Sequence, residues 1–303
     1  MLSSTETPSV KRTRFRVGLA SGTIQRFPGA FTPLSTRMIQ EKGFEGVYLS
    51  GAVMANELGL PDIGMTTLTE VATRAAQTAS ATDLPVLVDA DTGFGEPMNA
   101  ARTVQALEDA GVAGLHIEDQ VNPKRCGHLD GKDVVDIATA VRRIRAAVAA
   151  RRDPDLVIMA RTDARGVEGL TAATERAKAL EAAGADAIFA EAMGSLEEFA
   201  AMRAAVDVPI LANMTEFGRS ELFTVQQLQD VGVNMVIFPV SLLRIAMGAI
   251  ERGLDDLAAH GSLVGTVPRM QTRSRLYELV DYAGYTAFDD GVYTFDLSNN
   301  RSD

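Results

Sequence analysis

The sequence predicts an α/β protein built as a (β/α)8 barrel of the TIM type. Three observations lead to this prediction. Eight short runs of β-branched and apolar residues recur along the chain, segments with helical periodicity lie between them, and the runs are apolar on both faces. Strands of this kind are typical of parallel sheets that are covered by helices. Eight such units in 303 residues favour a closed barrel over an open doubly wound sheet.

The eight predicted strands and the helix starts follow from local patterns. The strands are predicted in FRVGLASG, GVYLSG, LPVLVDADTG, GLHIEDQ, DLVIMARTDA, AIFAEAM, VPILANMTE and MVIFPVS. Helices are predicted to start at two capping boxes, in which Thr67 is followed by Glu70 and Ser195 by Glu198. The order is therefore strand then helix, repeated along the chain.

The ends of the chain differ from its middle. Residues 15 to 303 are predicted to form a single (β/α)8 barrel domain with a C-terminal helical extension. Residues 1 to 14 (MLSSTETPSVKRTR) are predicted to be a disordered N-terminal tail, because they are polar and lack the apolar core of a signal peptide. The last segment, YTFDLSNNRSD, is also predicted to be a tail.

Composition limits the possible partners. A single cysteine cannot form an intramolecular disulfide, which favours a cytoplasmic protein. A formal net charge of −11 opposes binding to nucleic acid or to an anionic membrane. The most apolar region, VNMVIFPVSLLRIAMGAI, is interrupted by Arg244, so no segment approaches the run of about 18 apolar residues that a membrane span needs. We therefore expect small-molecule partners, no nucleic acid and no membrane.

Polar residues stand at the end of almost every predicted strand. In a (β/α)8 barrel the active site lies at the carboxyl ends of the strands, so these residues are expected to share one mouth. They are Tyr48 and Ser50, Asp89 and Asp91, His116 and Glu118, Arg161 and Asp163, Glu191, and Asn213 and Thr215.

The acidic members of this set predict a site for a divalent cation. Residues two apart on a strand point the same way, so Asp89 and Asp91 are expected on one side, as are His116 and Glu118. Carboxylate oxygens are the ligands that Mg²⁺ or Mn²⁺ prefers. For any single Asp the alternative is a helix cap or an ion pair with Arg161.

The only cysteine, Cys126, lies in the loop IEDQVNPKRCGHLDGK. Neighbouring cations lower a thiol pKa, and Lys124, Arg125 and His128 stand beside it. The glycines and the proline of the segment predict a lid that brings the cysteine to the substrate. The alternative is an inert, partly buried thiol. Zinc is not expected, because Cys126, His128 and His116 lack the spacing of a zinc site.

Several motifs resemble those of the isocitrate lyase and phosphoenolpyruvate mutase superfamily. They are YLSG, LPDIG, DADTGFG, HIEDQ, PKRCGH, MARTDA, LANMTEFG and MQTRSRLYE, and they cover nearly all of residues 15 to 280. The KRCGH motif resembles the lyase branch, since the mutase branch lacks this cysteine. Arg125 and the compact length resemble the lyases that cleave 2-methylisocitrate, whereas isocitrate lyases usually carry KKCGH and are longer.

The resemblance implies a role for each matching residue. It implies that Asp89 and Asp91 hold Mg²⁺, with Asp62 and Glu118 in the outer shell, and that Cys126 is the catalytic acid or base. Tyr48 and the acidic cluster are candidates for the base that takes the substrate hydroxyl proton. The implied substrate-binding residues are Ser50, Gly51, Ala52, Cys126, Gly127, His128, Arg161, Glu191, Asn213, Thr215, Arg244 and Arg273. Ala52 stands where the family often has a glycine, and FAEA replaces FPEA, so the fit around the substrate's methyl end is less defined.

The implied reaction is a retro-Claisen cleavage of 2-methylisocitrate to pyruvate and succinate, as in propionate catabolism through the methylcitrate cycle. Arg161, Arg244 and Arg273 are suited to bind carboxylates with two parallel hydrogen bonds. Isocitrate, 2,3-dimethylmalate and oxaloacetate are alternative substrates, because each presents a carboxylate beside a hydroxyl or carbonyl group. A barrel that binds a metabolite without catalysis is an alternative of another class.

The resemblance also implies a homotetramer in which a C-terminal helix is exchanged between subunits. The apolar segments VSLLRIAMGAI and SRLYELVDYAGY are the expected contact surfaces.

Overall fold

The computed structural model describes residues 4–125, 127, 131–218 and 220–294. Within them, eight parallel strands form one sheet in the order β1, β8, β7, β6, β5, β4, β3, β2. The strands are β1 (Gln25–Pro28), β2 (Val47–Leu49), β3 (Val86–Asp89), β4 (Gly114–Glu118), β5 (Val157–Thr162), β6 (Ala187–Ala190), β7 (Ile210–Asn213) and β8 (Met235–Phe238). A parallel bridge between Gly29 and Tyr48 joins β1 to β2. The barrel is nearly closed, which confirms the predicted fold class.

Helices surround this barrel and follow it at the C-terminus. They are α1 (Pro8–Ala20), α2 (Pro33–Glu41), α3 (Gly51–Glu57), α4 (Leu68–Ser80), α5 (Pro97–Asp109), α6 (Ile137–Ala150), α7 (Ala164–Glu168), α8 (Leu170–Ala182), α9 (Leu196–Ala205), α10 (Val225–Asp230), α11 (Ser241–His260), α12 (Arg273–Leu279) and α13 (Tyr282–Tyr293), with a short 3-10 helix at Val267–Arg269.

Two apolar cores hold the barrel together. Alternate residues of a strand point to opposite faces, so Leu87 belongs to an inner core whereas Val86 and Val88 belong to the core between strands and helices. The inner core includes Phe27 and Phe189, both fully buried. The interior is therefore packed with side chains below the carboxyl ends of the strands.

The first predicted strand is wrong. FRVGLASG belongs to helix α1, and the first strand is Gln25–Pro28 instead. Thr7 caps the helix through its side chain, and Pro8 occupies the first turn, where its fixed φ suits a helix. Phe15 and Leu19, four residues apart, are buried on one face of α1 and belong to the inner core.

The predicted disordered tail over residues 1 to 14 is wrong for residues 4 to 14. Asp83 accepts hydrogen bonds from the Ser4 hydroxyl and from the backbone of Thr5 and Glu6. The buried Lys11 then donates to the carbonyl oxygens of residues 79 and 82. These polar contacts anchor a segment whose polar composition had suggested disorder. Residues 1–3 and 295–303, including most of the predicted C-terminal tail, lie outside the described residues.

The two predicted capping boxes have different outcomes. Thr67 and Glu70 form a reciprocal box at the start of α4, as predicted. Ser195 caps α9 by accepting from the Glu198 amide, but the Glu198 side chain accepts from Gly194 and pairs with Arg165 instead. The contact of the Glu198 carboxylate with Arg165 therefore replaces its predicted hydrogen bond to the Ser195 amide.

The C-terminal helices differ from the others in burial. Within the described chain α11 has no buried residue, and Ile245, Ile250 and Leu254 are each more than half exposed. No helix that the model describes has both the length and the apolar composition of a membrane span.

Candidate active site

A cavity of about 780 Å³ opens at the carboxyl ends of the strands, where the site was predicted. Most of the predicted site residues line it. These are Tyr48, Ser50, Ala52, Asp62, Asp89, Gly127, Arg161, Glu191, Asn213, Thr215 and Arg244. On the side of α11 the wall is apolar, formed by Val240, Leu243 and Met247. The cavity thus joins a charged floor to an apolar wall.

The strand register brings the charged residues of the floor together. Asp89 on β3 is the register partner of His116 on β4, and Glu118 on β4 is the partner of Arg161 on β5. Adjacent partners in a sheet have neighbouring side chains, and all four are buried. Residues far apart in the sequence therefore form one charged layer.

Gly51 provides the room in which two carboxylates meet. Its amide donates to Asp89 Oδ2 at 3.1 Å. A Cβ on Gly51 would lie 2.8 Å from that oxygen and 3.2 Å from Asp91 Oδ1. Any side chain at residue 51 would fill the space between the two acids. Asp91 itself has a left-handed φ of 46°, and its amide donates to Asp89 Oδ1 at 3.0 Å. The two predicted metal ligands are thus neighbours.

A lysine ammonium lies among these acids. Lys124 Nζ pairs with Asp62 and lies 2.9 Å from Asp91 Oδ1. Burial by itself would lower the pKa of Lys124, but the surrounding carboxylates, Asp91 first, raise it above its ordinary value. Burial raises the pKa of Asp91 to about 6, against the effect of Lys124. The sequence had suggested Lys124 only as a neighbour of the thiol, so its contact with the acids was missed.

Tyr48 and His116 form a buried pair beneath the cavity. The Tyr48 hydroxyl and His116 Nε2 are 2.8 Å apart, and the hydrogen-bond direction depends on the histidine tautomer. Burial lowers the pKa of His116 to about 4 and raises that of Tyr48 well above its ordinary value. Both side chains are therefore neutral near pH 7. His116 Nδ1 lies 3.7 Å from Asp89 Oδ1.

Arg161 is the buried cation at the centre of the floor. Its Nε lies 2.9 Å from Asp163 Oδ2 and 3.2 Å from Glu118 Oε2, and its Nη2 lies 4.0 Å from Glu191 Oε1. Asn213 Nδ2 donates to Glu191 at 3.3 Å. Burial would lower the pKa of Arg161, but the three carboxylates raise it well above its ordinary value. Arg161 therefore stays charged and can receive an anionic group.

The backbone of Gly127 approaches this arginine closely. A Cβ on Gly127 would lie 2.4 Å from both Arg161 Nη2 and Glu191 Oε1. A side chain at residue 127 would therefore have to displace the ends of the buried Arg161 and Glu191 side chains. Its neighbour Arg125 also lines the cavity. Cys126 lies between them in the sequence but, like His128, falls outside the described residues, so the predicted roles of both stay predictions.

A second arginine, Arg244, lines the same cavity. Arg244 Nη1 donates to Thr215 Oγ1 at 3.0 Å and lies 2.8 Å from Glu216 Oε2. Glu216 also accepts from Ser241. Arg244 is thus held at the rim by the loop after β7. Glu216 was not singled out from the sequence, and only its place three residues beyond the β7 strand would have indicated it.

Arg273 is not brought to the cavity. It is exposed in the first turn of α12, which contacts α2 through neighbours such as Arg275, whose guanidinium lies against Glu41. The predicted contact of Arg273 with the substrate is therefore absent from the single chain, because α12 follows a different surface of the barrel. Glu118, expected in the outer shell of a metal, contacts Arg161.

The acidic group fits a hard divalent cation better than a softer metal. Among the described residues, no three His, Cys, Asp or Glu side chains gather as a ready ligand set. Mg²⁺ suits such a site, since it is held by one or two carboxylates and keeps several waters. Asp89 and Asp91 converge on Gly51, and a cation, Lys124, already lies against Asp91. The residues present therefore fit Mg²⁺.

These observations define an α/β-barrel with a buried arginine beside a carboxylate cluster at the carboxyl ends of its strands. The model of the phosphoenolpyruvate phosphomutase family matches residues 15–258. A probable 2-methylisocitrate lyase of Corynebacterium glutamicum is 63% identical over 301 residues, which are 99% of this chain and 98% of that protein. The 2-methylisocitrate lyase of Escherichia coli is 45% identical over 92% of this chain and 95% of its own.

Solved structures agree with this relationship. An oxaloacetate acetylhydrolase in complex with 3,3-difluorooxalacetate has a TM-score of 0.90 and 35% identity, covering 96% of this chain and all of that one. A 2,3-dimethylmalate lyase has a TM-score of 0.87 and 33% identity, covering 97% and 98%. The chain belongs to the phosphoenolpyruvate mutase and isocitrate lyase superfamily, in the family of the 2-methylisocitrate lyases, and is a lyase. The alternative of a barrel without catalysis is thereby set aside.

Proposed function

We propose that this lyase cleaves 2-methylisocitrate into pyruvate and succinate, in the breakdown of propionate. The observation that carries the proposal is the buried Arg161, which is held charged by carboxylates at the floor of a cavity with Arg244 at its rim. Two planar cations that line one cavity suit a substrate with several carboxylates. The similarity to curated 2-methylisocitrate lyases, up to 63% identity over nearly the whole chain, supports the choice of substrate.

We also propose that the enzyme depends on Mg²⁺, with Mn²⁺ as a possible replacement. Asp89 and Asp91 would hold the ion, with Asp62 nearby. When bound, the ion would stabilise negative charge on the substrate oxygens. The ammonium of Lys124 lies 2.9 Å from Asp91 Oδ1. When Mg²⁺ binds Asp91, Lys124 would therefore bind a different oxygen of the cluster or move away from Asp91.

The proposed chemistry is a retro-Claisen cleavage. The substrate hydroxyl loses its proton, the oxygen electrons form the carbonyl of pyruvate, and the carbon–carbon bond breaks. Its electron pair passes to the succinate fragment as an enediolate, which then takes a proton on carbon. Arg161 is placed to bind a substrate carboxylate, and a fixed buried cation stabilises charge that develops during the reaction.

Two proton transfers have to be assigned. Tyr48 is a poor first base in the resting state, because burial raises its pKa and its hydroxyl already contacts His116. The cluster of Asp62, Asp89 and Asp91 therefore remains the candidate for the base that takes the proton of the substrate hydroxyl. We propose Cys126 as the donor of the second proton. Its sequence neighbours Arg125 and Gly127 both line the cavity, which supports this role.

The substrate is tested by a panel. Pyruvate and glyoxylate are measured in coupled assays with 2-methylisocitrate, isocitrate, 2,3-dimethylmalate and oxaloacetate, each with added Mg²⁺ and with EDTA. We expect pyruvate from 2-methylisocitrate to form fastest and to disappear with EDTA. The structural similarity to the acetylhydrolase and to the dimethylmalate lyase makes their substrates the second candidates. Faster turnover of oxaloacetate, 2,3-dimethylmalate or isocitrate than of 2-methylisocitrate would contradict the proposed substrate.

The exposed apolar face of α11 supports a further part of the proposal, a cytoplasmic homotetramer. Ile245, Ile250 and Leu254 would be covered by a neighbouring subunit. An exposed apolar stripe of this length is typical of an interaction surface.

A further inference from the structure

Lys132 is a buried ammonium that the proposed reaction does not use. Its side chain is 3% exposed, and Nζ lies 2.7 Å from Asp163 Oδ1, whose side chain is fully buried. Nζ also donates to the carbonyl oxygen of Gly127. Burying a charged amine is costly unless it is paired and hydrogen-bonded. These two contacts are therefore the reason why the ammonium lies inside the protein.

The position of Lys132 is fixed by its surroundings. The next residues pair with the segment after β4: Asp133 O accepts from the Val121 amide at 2.9 Å, and the Val135 amide donates to Asp119 O at 2.8 Å. The lysine stem passes Gly166 in α7, where a Cβ would lie 3.2 Å from Cε and 3.3 Å from Nζ. The ammonium thus has a defined channel that ends at Asp163.

Through Asp163, the same ammonium reaches the substrate-binding arginine. Asp163 Oδ1, which accepts from Lys132, also accepts from Arg161 Nη2 at 3.2 Å, while Oδ2 accepts from Arg161 Nε at 2.9 Å. The other contact of Lys132, Gly127, has no spare room against Arg161 Nη2. One cation therefore fixes both the arginine and the backbone that faces it.

The charge balance gives Lys132 a second effect. Three carboxylates, those of Asp163, Glu118 and Glu191, lie around the single cation of Arg161. Without Lys132 this group has a larger excess of acidic over basic side chains, which opposes the binding of a carboxylate. Lys132, whose Nζ lies 2.7 Å from Asp163 Oδ1, offsets part of that excess, so that Arg161 can accept an anion.

We propose that Lys132 is a positioning residue for anion binding: it holds Gly127 against the Arg161–Asp163 pair and offsets the surplus negative charge beside Arg161. The inference rests on the proposed function for the identity of the substrate, but not for the class of ligand, which is a small dicarboxylate.

The test measures binding separately from turnover. Lys132→Met removes charge and hydrogen bonds, Lys132→Gln removes the charge and keeps a donor, and Lys132→Arg keeps the charge. Lys178→Met is the matched control, because Lys178 is exposed on α8 and pairs there with the exposed Glu175. For each we measure kcat and KM with 2-methylisocitrate, the Kd and stoichiometry of succinate by calorimetry, and the thermal unfolding midpoint.

We expect Lys132→Met to raise the KM and the succinate Kd at least about tenfold, the scale of a lost hydrogen bond to a charged group. Lys132→Gln should be intermediate and Lys132→Arg nearest to wild type, with Lys178→Met unchanged. A merely structural role would lower the stoichiometry and kcat and leave the Kd of the folded fraction unchanged.

A folded Lys132→Met protein with KM and Kd within twofold of wild type would overturn the proposal. Should Lys132→Met fail to fold, the Gln and Arg variants decide by the same criterion. Failure of the wild type to cleave 2-methylisocitrate would contradict the proposed function alone, because succinate binding still reports on Lys132.

Discussion

Replacing Gly127 by alanine tests the arrangement of the cavity directly. The added Cβ would lie 2.4 Å from Arg161 Nη2 and from Glu191 Oε1, whereas ordinary contacts begin near 3.4 Å. The loop or the arginine therefore has to move by about 1 Å. A misplacement of about 1 Å near the reacting groups costs roughly 100-fold in rate. We expect kcat/KM to fall by about that factor, which corresponds to ~2.7 kcal/mol of transition-state stabilisation.

The assay is steady-state pyruvate formation, with the thermal midpoint measured in parallel. Gly265→Ala is the matched control, since Gly265 is exposed and nothing lies within 4 Å of the position of its Cβ. The control should keep wild-type kinetics. A folded Gly127→Ala enzyme with kcat/KM within about threefold of wild type would refute the close approach of residue 127 to Arg161.

Three further predictions concern the thiol, a buried acid and the exposed helix. Cys126→Ser should lower cleavage at least about 100-fold, within the range of general acid catalysis, while the calorimetric Kd for succinate stays unchanged; cleavage within a few-fold of wild type would remove the assignment. Burial, and after it the charge of Asp163, raises the pKa of Asp119 from 3.8 to about 6. The folded state therefore binds this proton more tightly than the unfolded state, and the free energy of unfolding should fall as the pH rises from about 4 to about 6. Urea titrations should show this fall, on the order of 2 kcal/mol, in wild type and not in Asp119→Asn; an equal pH dependence in both proteins would contradict it. Light scattering should give a multiple of 32.3 kDa for wild type and a lower mass for Leu254→Glu, and a monomeric wild type would contradict the tetramer.

The barrel was predictable because its strands carry an unusually plain signal. Runs such as LPVLVDADTG are apolar on both faces and end in acids, so both the strand and its functional end can be read from one segment. The segment of α1 was predicted as a strand because Phe15, Val17 and Leu19 alternate as they would in a strand. Thr7 and Pro8 carry the helix-start signal instead. The packing of Phe15 against Phe27 stabilises the segment as a helix.

The site was predictable in part, residue by residue. Asp89 and Arg161 follow from strand ends, because parallel strands bring their carboxyl ends to one edge. Lys132 could not be predicted in the same way, since its contacts with Gly127 and Asp163 depend on a loop path that no periodicity encodes. The place of Arg273 outside the cavity of the single chain could not be predicted for a related reason, because the direction of α12 depends on its packing against α2.

The most direct test of the central claim is the reaction of 2-methylisocitrate in D₂O with Mg²⁺, followed by NMR. The proposed cleavage leaves an enediolate that takes one proton on carbon, so the account predicts equimolar pyruvate and succinate carrying a single deuterium on carbon. Absence of pyruvate, or succinate without deuterium, would contradict it.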